Sequence, residues 1–243
     1  MRERGQDYNE ALLDGARELG LQVAESQLAA YRTHLQLLLE HNRRAGLTTI
    51  TDPVEVAIKH FLDSLTCLLA RDIAAGERVM DVGSGAGFPG LVLAVARPHA
   101  AYTLIESTKR RAAFLERAAR ELKLANTTVL KTRVEEAGRN PDHREAYDLV
   151  VSRALAPLPV LLEYCLPLVG LGGHCLAQKG PDAKEELERS GPALRILGGS
   201  ISAVRSLTLP RDMGARTLIL VEKTAPTPAR YPRRPGMPAK RPL

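Results

Sequence analysis

The stretch Val79-Met80-Asp81-Val82-Gly83-Ser84-Gly85-Ala86-Gly87-Phe88-Pro89-Gly90 decides the fold, because a short apolar strand runs here directly into a glycine-rich turn. Residues 91–96 continue the chain as a predicted helix. A strand that ends in glycines before a helix brings backbone N–H groups close to a ligand at the edge of a sheet. The sequence therefore predicts a ligand site at this turn.

The chain on either side of this turn alternates between short apolar runs and helical patterns. We predict strands at 78–82, 102–105, 128–130, 148–151 and 173–178, and helices at 91–96, 109–122 and 158–168. Such alternation requires crossover connections, which favours a doubly wound, mostly parallel α/β sheet. The runs 200–209 and 215–222, separated by Pro210-Arg211-Asp212-Met213-Gly214, predict a closing antiparallel hairpin.

The residues before this sheet have helical spacing. Residues 26–42 place apolar side chains at i, i+3 and i+4. Asp52-Pro53-Val54-Glu55 has the pattern of a capping box at the start of a helix that runs to about residue 70. We therefore divide the chain into an N-terminal helical cap (1–75), an α/β ligand-binding domain (76–223) and a tail (224–243).

Composition excludes secreted and membrane classes. The 243 residues are 44% hydrophobic and 26% charged, and no run approaches the ~18 apolar residues of a membrane span. The N-terminus MRERGQDYNE lacks the apolar core of a secretory signal. Cys67, Cys165 and Cys175 form neither a C-x-x-C pair nor an even disulfide set, so we expect a reducing cytoplasm. The six histidines are scattered, so no metal site is expected.

The tail carries most of the net charge of +6. Residues 224–243 contain no Asp or Glu, six of the 16 prolines, and the cations Arg230, Arg233, Arg234, Lys240 and Arg241. Such a segment is either a solvated tail or an arm that follows phosphates. Composition leaves both interpretations open.

Two cofactor motifs overlap in the glycine-rich turn. Gly85, Gly87 and Gly90 match the dinucleotide pattern G-x-G-x-x-G. Gly83, Gly85 and Gly87, preceded by Asp81, match the G-x-G-x-G loop of methyltransferases that use S-adenosyl-L-methionine. A carboxylate at Asp81 would repel a pyrophosphate, whereas it would favour a cationic sulfonium. The turn therefore favours S-adenosylmethionine over NAD.

Glu106 is a second candidate contact, at the end of the next predicted strand. It follows Gly83 by 23 residues, close to the ~20 expected for an acid that binds ribose hydroxyls. Both NAD and S-adenosylmethionine carry an adenosine ribose, so Glu106 does not choose between them. The alternative role is an exposed carboxylate at a strand end.

Several segments together resemble one family. These are MDVGSGAGFPGLVLA, TLIESTKRRAAFLERAARELKL, TRVEEA and VSRALAPL, with Gly46-Leu47-Thr48-Thr49-Ile50 upstream and YPRRPGMPAKRPL at the end. In this order they resemble the bacterial RsmG (GidB) family of 16S rRNA guanine-N7 methyltransferases. The resemblance implies that residues 76–223 are a class I (Rossmann-like) methyltransferase domain. It also implies S-adenosylmethionine as cofactor and methyl transfer to N7 of a loop guanine (the family's guanine 527) in the small ribosomal subunit. We expect a monomer.

The resemblance also implies residue roles. Gly83, Gly85 and Phe88 would line the methionine and adenosine ends of the cofactor site. Glu106, Ser107 and Thr108 would hold the ribose and the adenine edge, Val134 and Glu135 would border the adenine, and Arg153 would position cofactor and base together. Arg233, Arg234, Lys240 and Arg241 would contact RNA.

These roles have structural alternatives. Val134 suits a core, Glu135 suits a helix start, where the dipole favours a carboxylate, and Arg153 suits an ion pair that ties the sheet edge. His60 is expected to be structural. Guanine N7 has a lone pair and no proton to lose, so the expected mechanism is positioning without a general base. The competing functions are a methyltransferase for a small molecule or protein, and a nicotinamide-linked oxidoreductase.

Overall fold

A seven-stranded sheet forms the centre of the protein, in a computed structural model that describes residues 2–181 and 183–243. The strand order is β3-β2-β1-β4-β5-β7-β6. The strands are β1 (Arg78–Val82), β2 (Ala101–Ile105), β3 (Thr127–Leu130), β4 (Tyr147–Arg153), β5 (Val169–Lys179), β6 (Gly199–Thr208) and β7 (Ala215–Lys223). The five neighbours from β3 to β5 run parallel, and β7 is antiparallel to β5 and β6. The predicted doubly wound sheet and its hairpin are confirmed.

Helices pack on both faces of the sheet. Successive residues of a strand point to opposite faces, and because the strand residues on both faces are apolar, each face needs a covering layer. Met80 of β1 packs in one apolar cluster with Leu161, whereas the preceding Val79 packs in another with Leu93. The helices after β1 are α6 (Gly90–Ala96), α7 (Lys109–Glu121), α8 (Val134–Ala137), α9 (Leu158–Cys165), α10 (Ala183–Arg189), α11 (Gly191–Leu197) and α12 (Met237–Lys240), with a 3₁₀ turn at Pro210–Asp212.

The helical cap consists of α1 (Arg2–Glu18), α2 (Glu25–Ala45), and a segment expected to be one helix. That segment comprises α3 (Pro53–Val56), a π-helical stretch (Ala57–Leu62), α4 (Asp63–Leu65) and α5 (Cys67–Ala70). Asp52 caps it as predicted, since Oδ1 accepts from the Glu55 amide at 2.9 Å. The reciprocal half of the capping box is replaced: Glu55 Oε1 binds Lys59 Nζ, a charged donor one turn later.

The cap packs directly on the glycine-rich turn and on α6. The Tyr31 hydroxyl donates to the Val92 carbonyl (3.2 Å), and His34 Nε2 donates to the Ala86 carbonyl (2.8 Å). Burial lowers the pKa of His34 to about 4, so the ring is neutral and donates through Nε2–H. Helix α2 therefore fixes the backbone of the turn.

The structure differs from the prediction at the end of α9 and in the connection between β5 and β6. Helix α9 ends at Cys165 and not at residue 168, because a proline at 167 cannot continue a helix. Helices α10 and α11, which lie between β5 and β6, were not predicted. Both are seven residues long, which is too short for a clear helical period.

The basic tail packs against the domain and is not a solvated arm. Arg233 donates through Nε and Nη2 to the fully buried carboxylate of Glu163 (2.9 and 2.6 Å). Arg144 donates to the carbonyl oxygens of Thr227 (2.6 Å) and Tyr231 (2.8 Å). Composition suggested a free segment because its cations and prolines resemble those of unfolded chains. Its partners lie about 70 to 90 residues away along the chain.

We predict that Glu163→Ala destabilises the protein by about 3 kcal/mol, because it leaves Arg233 half-buried without its carboxylate. Urea unfolding monitored by circular dichroism measures the change. The control is Glu185→Ala, which breaks an exposed pair with Arg189 and should cost no more than about 1 kcal/mol. Equal losses in the two variants would contradict the role given to the Arg233–Glu163 pair.

Candidate active site

The glycine-rich turn lies at the carboxyl edge of the sheet, beside the ends of β2 and β4. The amides of Gly83 and Ser84 both donate to the Ile105 carbonyl (3.0 and 3.1 Å), which ties the turn to β2. Gly83 has φ +78°, and a Cβ there would lie 2.8 Å from Cδ1 of Leu155. The left-handed backbone conformation therefore favours glycine at this position, and a larger side chain would have to displace Leu155.

Asp81 supports the turn from below and does not face a ligand. Its side chain is buried, and Oδ2 accepts from the Gly90 amide at 2.9 Å, where α6 begins. Burial raises the pKa of Asp81 to about 6, against the opposing effect of hydrogen bonds from Ser84 and Gly90. The expectation that this carboxylate favours a sulfonium by proximity is not supported, because Asp81 does not line the cavity that opens beside the turn.

This cavity, which we call the first cavity, has a volume of about 460 Å³. Of the residues expected to bind cofactor, its wall contains Gly83, Glu106, Ser107, Thr108, Val134, Glu135 and Arg153. Its volume is within the ~300–1,000 Å³ common for small-molecule sites. The structure thus brings together residues that are up to 70 positions apart in sequence.

Glu106 is held in a fixed orientation in this wall. Oε1 accepts from the Thr108 amide (2.7 Å) and Oε2 from the Gly85 amide (3.2 Å). Each carboxylate oxygen retains a second lone pair, so the group can also accept two vicinal hydroxyl donors. The orientation fits the ribose of S-adenosylmethionine, and the missing side chain at Gly83 leaves the bottom of the cavity open.

Gly85 and Phe88 do not line the first cavity. Gly85 contributes through its amide, which orients Glu106. Phe88 is buried below, with its ring centroid 4.8 Å from those of His34 and His60. The guanidinium carbon of Arg153 lies 5.3 Å from the Phe88 centroid. Phe88 therefore packs between the helical cap and Arg153, a tertiary position that the motif alone does not reveal.

The tail supplies part of the cavity wall. Gly236 and Ala239 line the first cavity, and the Gly236 amide donates to Oε1 of the buried Glu135 at 2.9 Å. Glu135 thus connects α8 to the tail, which adds to its predicted place beside the cofactor. The sequence did not indicate this wall, because a basic, proline-rich composition gives no sign of a packing partner.

The tail cations differ in their surroundings. Arg233, predicted to contact RNA, is engaged by Glu163, and this carboxylate raises the pKa of Arg233. Arg234, Lys240 and Arg241 are exposed, and no described carboxylate lies within ion-pair distance of them. Their predicted RNA role stays a prediction.

Arg153 combines a structural contact with a place in the cavity wall. Its Nη1 donates to Asp63 Oδ2 (3.0 Å) and to the Lys59 carbonyl (2.8 Å), and its side chain is 16% exposed. The alternative role, an ion pair at the sheet edge, therefore exists. The same pair fixes the guanidinium beside the first cavity, so the two roles are compatible.

Sequence reasoning missed other residues of the wall. Those with side chains large or polar enough to contact a ligand include Arg111, Thr132, Arg133, Leu155 and Tyr164. The motif TRVEEA contains two of them, immediately before Val134, and this adjacency was the available signal. Tyr164 is separated from every motif and comes to the cavity only through the packing of α9.

Neither a metal cluster nor a membrane-spanning helix is found among the described residues. No group of three His, Cys, Asp or Glu side chains in residues 2–181 and 183–243 could hold a metal ion. Over the same part of the chain, no helix has the length and apolar character to cross a membrane.

Comparison with known proteins gives a consistent family match. The family model described as rRNA small subunit methyltransferase G (GidB) matches residues 27–213. A Pelotomaculum thermopropionicum protein called ribosomal RNA small subunit methyltransferase G is 47% identical over 234 residues, covering 96% of this chain and 98% of that protein. A protein of the same name from Symbiobacterium thermophilum is 46% identical over 241 residues, covering 97% and 98%.

Solved structures resemble the chain in fold. M. jannaschii TYW2, solved in complex with AdoMet, aligns with a TM-score of 0.53 at 14% identity, over 67% of this chain and 74% of that one. Thermus thermophilus TrmN aligns with a TM-score of 0.51 at 17% identity, over 69% and 53%. At these identities the likeness shows a class I methyltransferase fold and nothing finer.

We predict that Glu106→Gln weakens binding of S-adenosylhomocysteine about tenfold, because an amide only partly replaces charge-assisted hydrogen bonds to the ribose. Isothermal titration calorimetry measures the dissociation constant. At saturating cofactor the turnover should stay near wild type. The control is Glu121→Gln, an exposed carboxylate in α7. A fall in turnover with unchanged affinity would assign Glu106 to the chemistry instead.

We further predict that a chain ending after Arg234 binds S-adenosylhomocysteine about fivefold more weakly, since it loses the Gly236–Glu135 hydrogen bond and the Ala239 wall. The matched control ends after residue 242 and keeps both, together with the Arg233–Arg241 hydrogen bond (2.7 Å), so its affinity should be that of the full chain. If the shorter chain kept full cofactor affinity and lost only RNA binding, the tail would be a phosphate arm, as composition also allowed.

Proposed function

The chain belongs to the rRNA small subunit methyltransferase G family, and on that premise we propose that it methylates N7 of a guanine in the 16S rRNA of the small ribosomal subunit. The observation that carries the proposal is the first cavity, where Glu106 and Gly83 suit an adenosine cofactor and Arg153 borders the same space. A methyltransferase for a small molecule or a protein is the second candidate.

The protein is a methyltransferase that uses S-adenosyl-L-methionine. When bound, this cofactor supplies an electrophilic methyl group. Glu106 would hold the ribose, Ser107, Thr108 and Val134 would surround the adenine, and Gly83 would leave room for the methionine end. Tyr164 adds an aromatic ring to the same wall.

The chemistry needs positioning rather than proton transfer, because N7 has an in-plane lone pair and no proton to lose. His60, whose Nδ1 lies 3.4 Å from Arg153 Nη2, is consistent with a mechanism without proton transfer. Burial, together with the adjacent Arg153 charge, lowers the pKa of His60 to about 4, so the ring is neutral near pH 7. His60 Nε2 bonds the Thr48 hydroxyl at 2.8 Å, which supports the structural role predicted for it. Orientation of the reacting atoms can remove up to ~7–11 kcal/mol of the barrier.

The RNA target must present an unpaired or extruded guanine. The major groove of an A-form helix is too narrow for an enzyme to reach N7 inside a duplex. Bases that undergo chemistry are therefore taken out of the stack, at a cost of a few kcal/mol. A loop guanine minimises that cost, because it is already unpaired.

A basic groove between α2 and α7 suits the RNA backbone. It has a volume of about 560 Å³ and is lined by Arg44, Arg110 and Arg117, with His41 and Phe114. Within the described residues these arginines form no ion pair with a carboxylate. The nearby Glu40 accepts from Gln36 at 2.9 Å. Arg111, the next residue of α7, lines the first cavity, so this helix contributes to the groove and to the site.

The proposal is tested by transferring a labelled methyl group from S-adenosylmethionine to 30S particles and to 16S rRNA from a strain without this activity. Nucleoside mapping should give 7-methylguanosine at one position. Labelled protein or small molecule in an extract, with no labelled rRNA, would favour the second candidate. Methylation at another atom of guanine would overturn the N7 assignment.

We predict that Arg44→Ala/Arg110→Ala weakens RNA binding and leaves S-adenosylhomocysteine affinity unchanged. If both arginines contact phosphates of a single strand, the salt slope of log K should fall by about 1.4 units, at ~0.7 per contact. Filter binding at several salt concentrations measures the slope. The control, Arg120→Ala/Lys123→Ala, removes the same charge beside β3 and should keep the wild-type slope. Equal slopes in both variants would exclude the groove as an RNA contact.

A further inference from the structure

A second cavity of about 370 Å³ adjoins the first, and it has no role in the function proposed above. The two cavities share Arg153 and Ala154, at the carboxyl end of β4. The remaining wall of the second cavity comes from the helical cap, the end of β5, α10 and the start of β7. A molecule in the second cavity would therefore lie next to one in the first.

Most of the charges around the second cavity are already paired. Arg153 and Arg216 both bind Asp63, at 3.0 and 3.1 Å. Lys59 binds Glu55, which lies outside the cavity wall. These pairs fix the wall, and with both oxygens of Asp63 engaged the free capacity of this group consists of N–H donors alone.

Lys179 and Glu186 are different, because together they offer a donor beside a free carboxylate oxygen. Lys179 Nζ forms an ion pair with Glu186 Oε2 (2.7 Å) and donates to the Ala156 carbonyl (2.8 Å), which leaves at least one of its three N–H groups for a ligand. Glu186 Oε2 also accepts from the Leu158 amide at 2.6 Å, whereas no hydrogen bond is found to its Oε1 in the described part of the chain. The pair thus presents one donor and one acceptor side by side.

We propose that the second cavity binds the target guanine, and that Lys179 and Glu186 recognise its O6 and N1–H. The proposal rests on the function proposed above. Guanine carries N7, O6 and N1–H in this order around its ring. With N7 directed at the first cavity, O6 meets the Lys179 ammonium and N1–H meets Glu186 Oε1. Arg153 lies at the boundary, where base and methyl group meet.

The same pair rejects adenine. In the orientation that brings N7 to the first cavity, adenine places its N6 amino group at the Lys179 ammonium and its bare N1 at the Glu186 carboxylate. Both contacts are repulsive, donor against donor and acceptor against acceptor. Turning the base over to relieve them moves N7 away from the first cavity. Lys179 is 9% and Glu186 24% exposed, so a base that covers them removes both from water, and the wrong base then leaves them unpaired.

Glu186 also has a structural role, which the test must separate from recognition. Its bond to the Leu158 amide caps the first turn of α9. Glu186→Gln keeps an oxygen that can accept from this amide, but it replaces the free carboxylate oxygen by an NH₂ group. That group is a donor, so it repels N1–H of guanine. The control is Glu185→Gln, on the same helix, where the carboxylate is exposed and paired with Arg189.

The experiment uses RNA or reconstituted subunits with guanosine, inosine or 2,6-diaminopurine riboside at the position that the wild type methylates. Inosine keeps O6 and N1–H, and 2,6-diaminopurine has an amino group and a bare N1 in their place. We expect wild-type kcat/KM to be similar for guanosine and inosine and at least tenfold lower for 2,6-diaminopurine. Glu186→Gln should lower kcat/KM for guanosine by about 5- to 150-fold. The ratio of kcat/KM between guanosine and 2,6-diaminopurine should therefore be smaller than in the wild type.

Dissociation constants of the same RNAs from the S-adenosylhomocysteine complex give a readout independent of turnover, and they should follow the same order. Cofactor affinity, Tm and the Glu185→Gln control should match wild type. The proposal is overturned if folded Glu186→Gln discriminates between the bases as the wild type does. If its Tm is also lowered, Glu186 serves only to cap α9. If the wild type forms no 7-methylguanosine, the proposed function falls first and this inference falls with it.

Discussion

The carboxylate of Asp63 holds the N-terminal helices against the sheet, and the geometry of both cavities depends on it. Its two oxygens accept from Arg153 and Arg216, and the Gln178 amide donates to its carbonyl at 2.7 Å. The side chain is 3% exposed, so the desolvation of three charged groups offsets much of the Coulomb attraction. The main effect of the network is therefore to orient Arg153 at the end of β4, where the cavities meet, rather than to raise the free energy of unfolding.

The few aromatic rings of the chain explain why a guanidinium occupies that boundary. The sequence has three phenylalanines and no tryptophan. Phe61, Phe88 and Phe114 are all buried, and Phe88 lies beneath Arg153. No phenylalanine is thus left to stack on a base from inside the site. A planar arginine held over a buried ring offers a flat surface of its own, and its ion pair to Asp63 prevents it from collapsing onto other partners.

The parts of the site that local sequence pattern alone predicts belong to one βαβ unit, whereas Val134, Glu135 and Arg153 were expected only from the family resemblance. Gly83 and Glu106 follow consecutive parallel strands, so turn chemistry and a spacing of about 20 residues locate them without tertiary information. The predictions for Phe88 and for the tail were wrong because the positions of these residues depend on contacts that are distant in sequence. Arg233 meets its partner 70 residues away and Arg153 meets Asp63 90 residues away. A local pattern gives the chemical character of such residues, but their role depends on the element that packs against them.

Because distant contacts hold the tail in the cavity wall, its docking is coupled to the ligand. Gly236 and Ala239 line the first cavity only while the tail is docked, and docking depends on the buried pair of Arg233 with Glu163. A ligand that prefers the closed wall stabilises the docked tail by as much as the docked tail strengthens the ligand, because the coupling free energy is the same in both directions. Cofactor binding and tail docking are therefore thermodynamically linked. A change at Glu163, outside the cavity wall, acts on that equilibrium just as a change in the wall does.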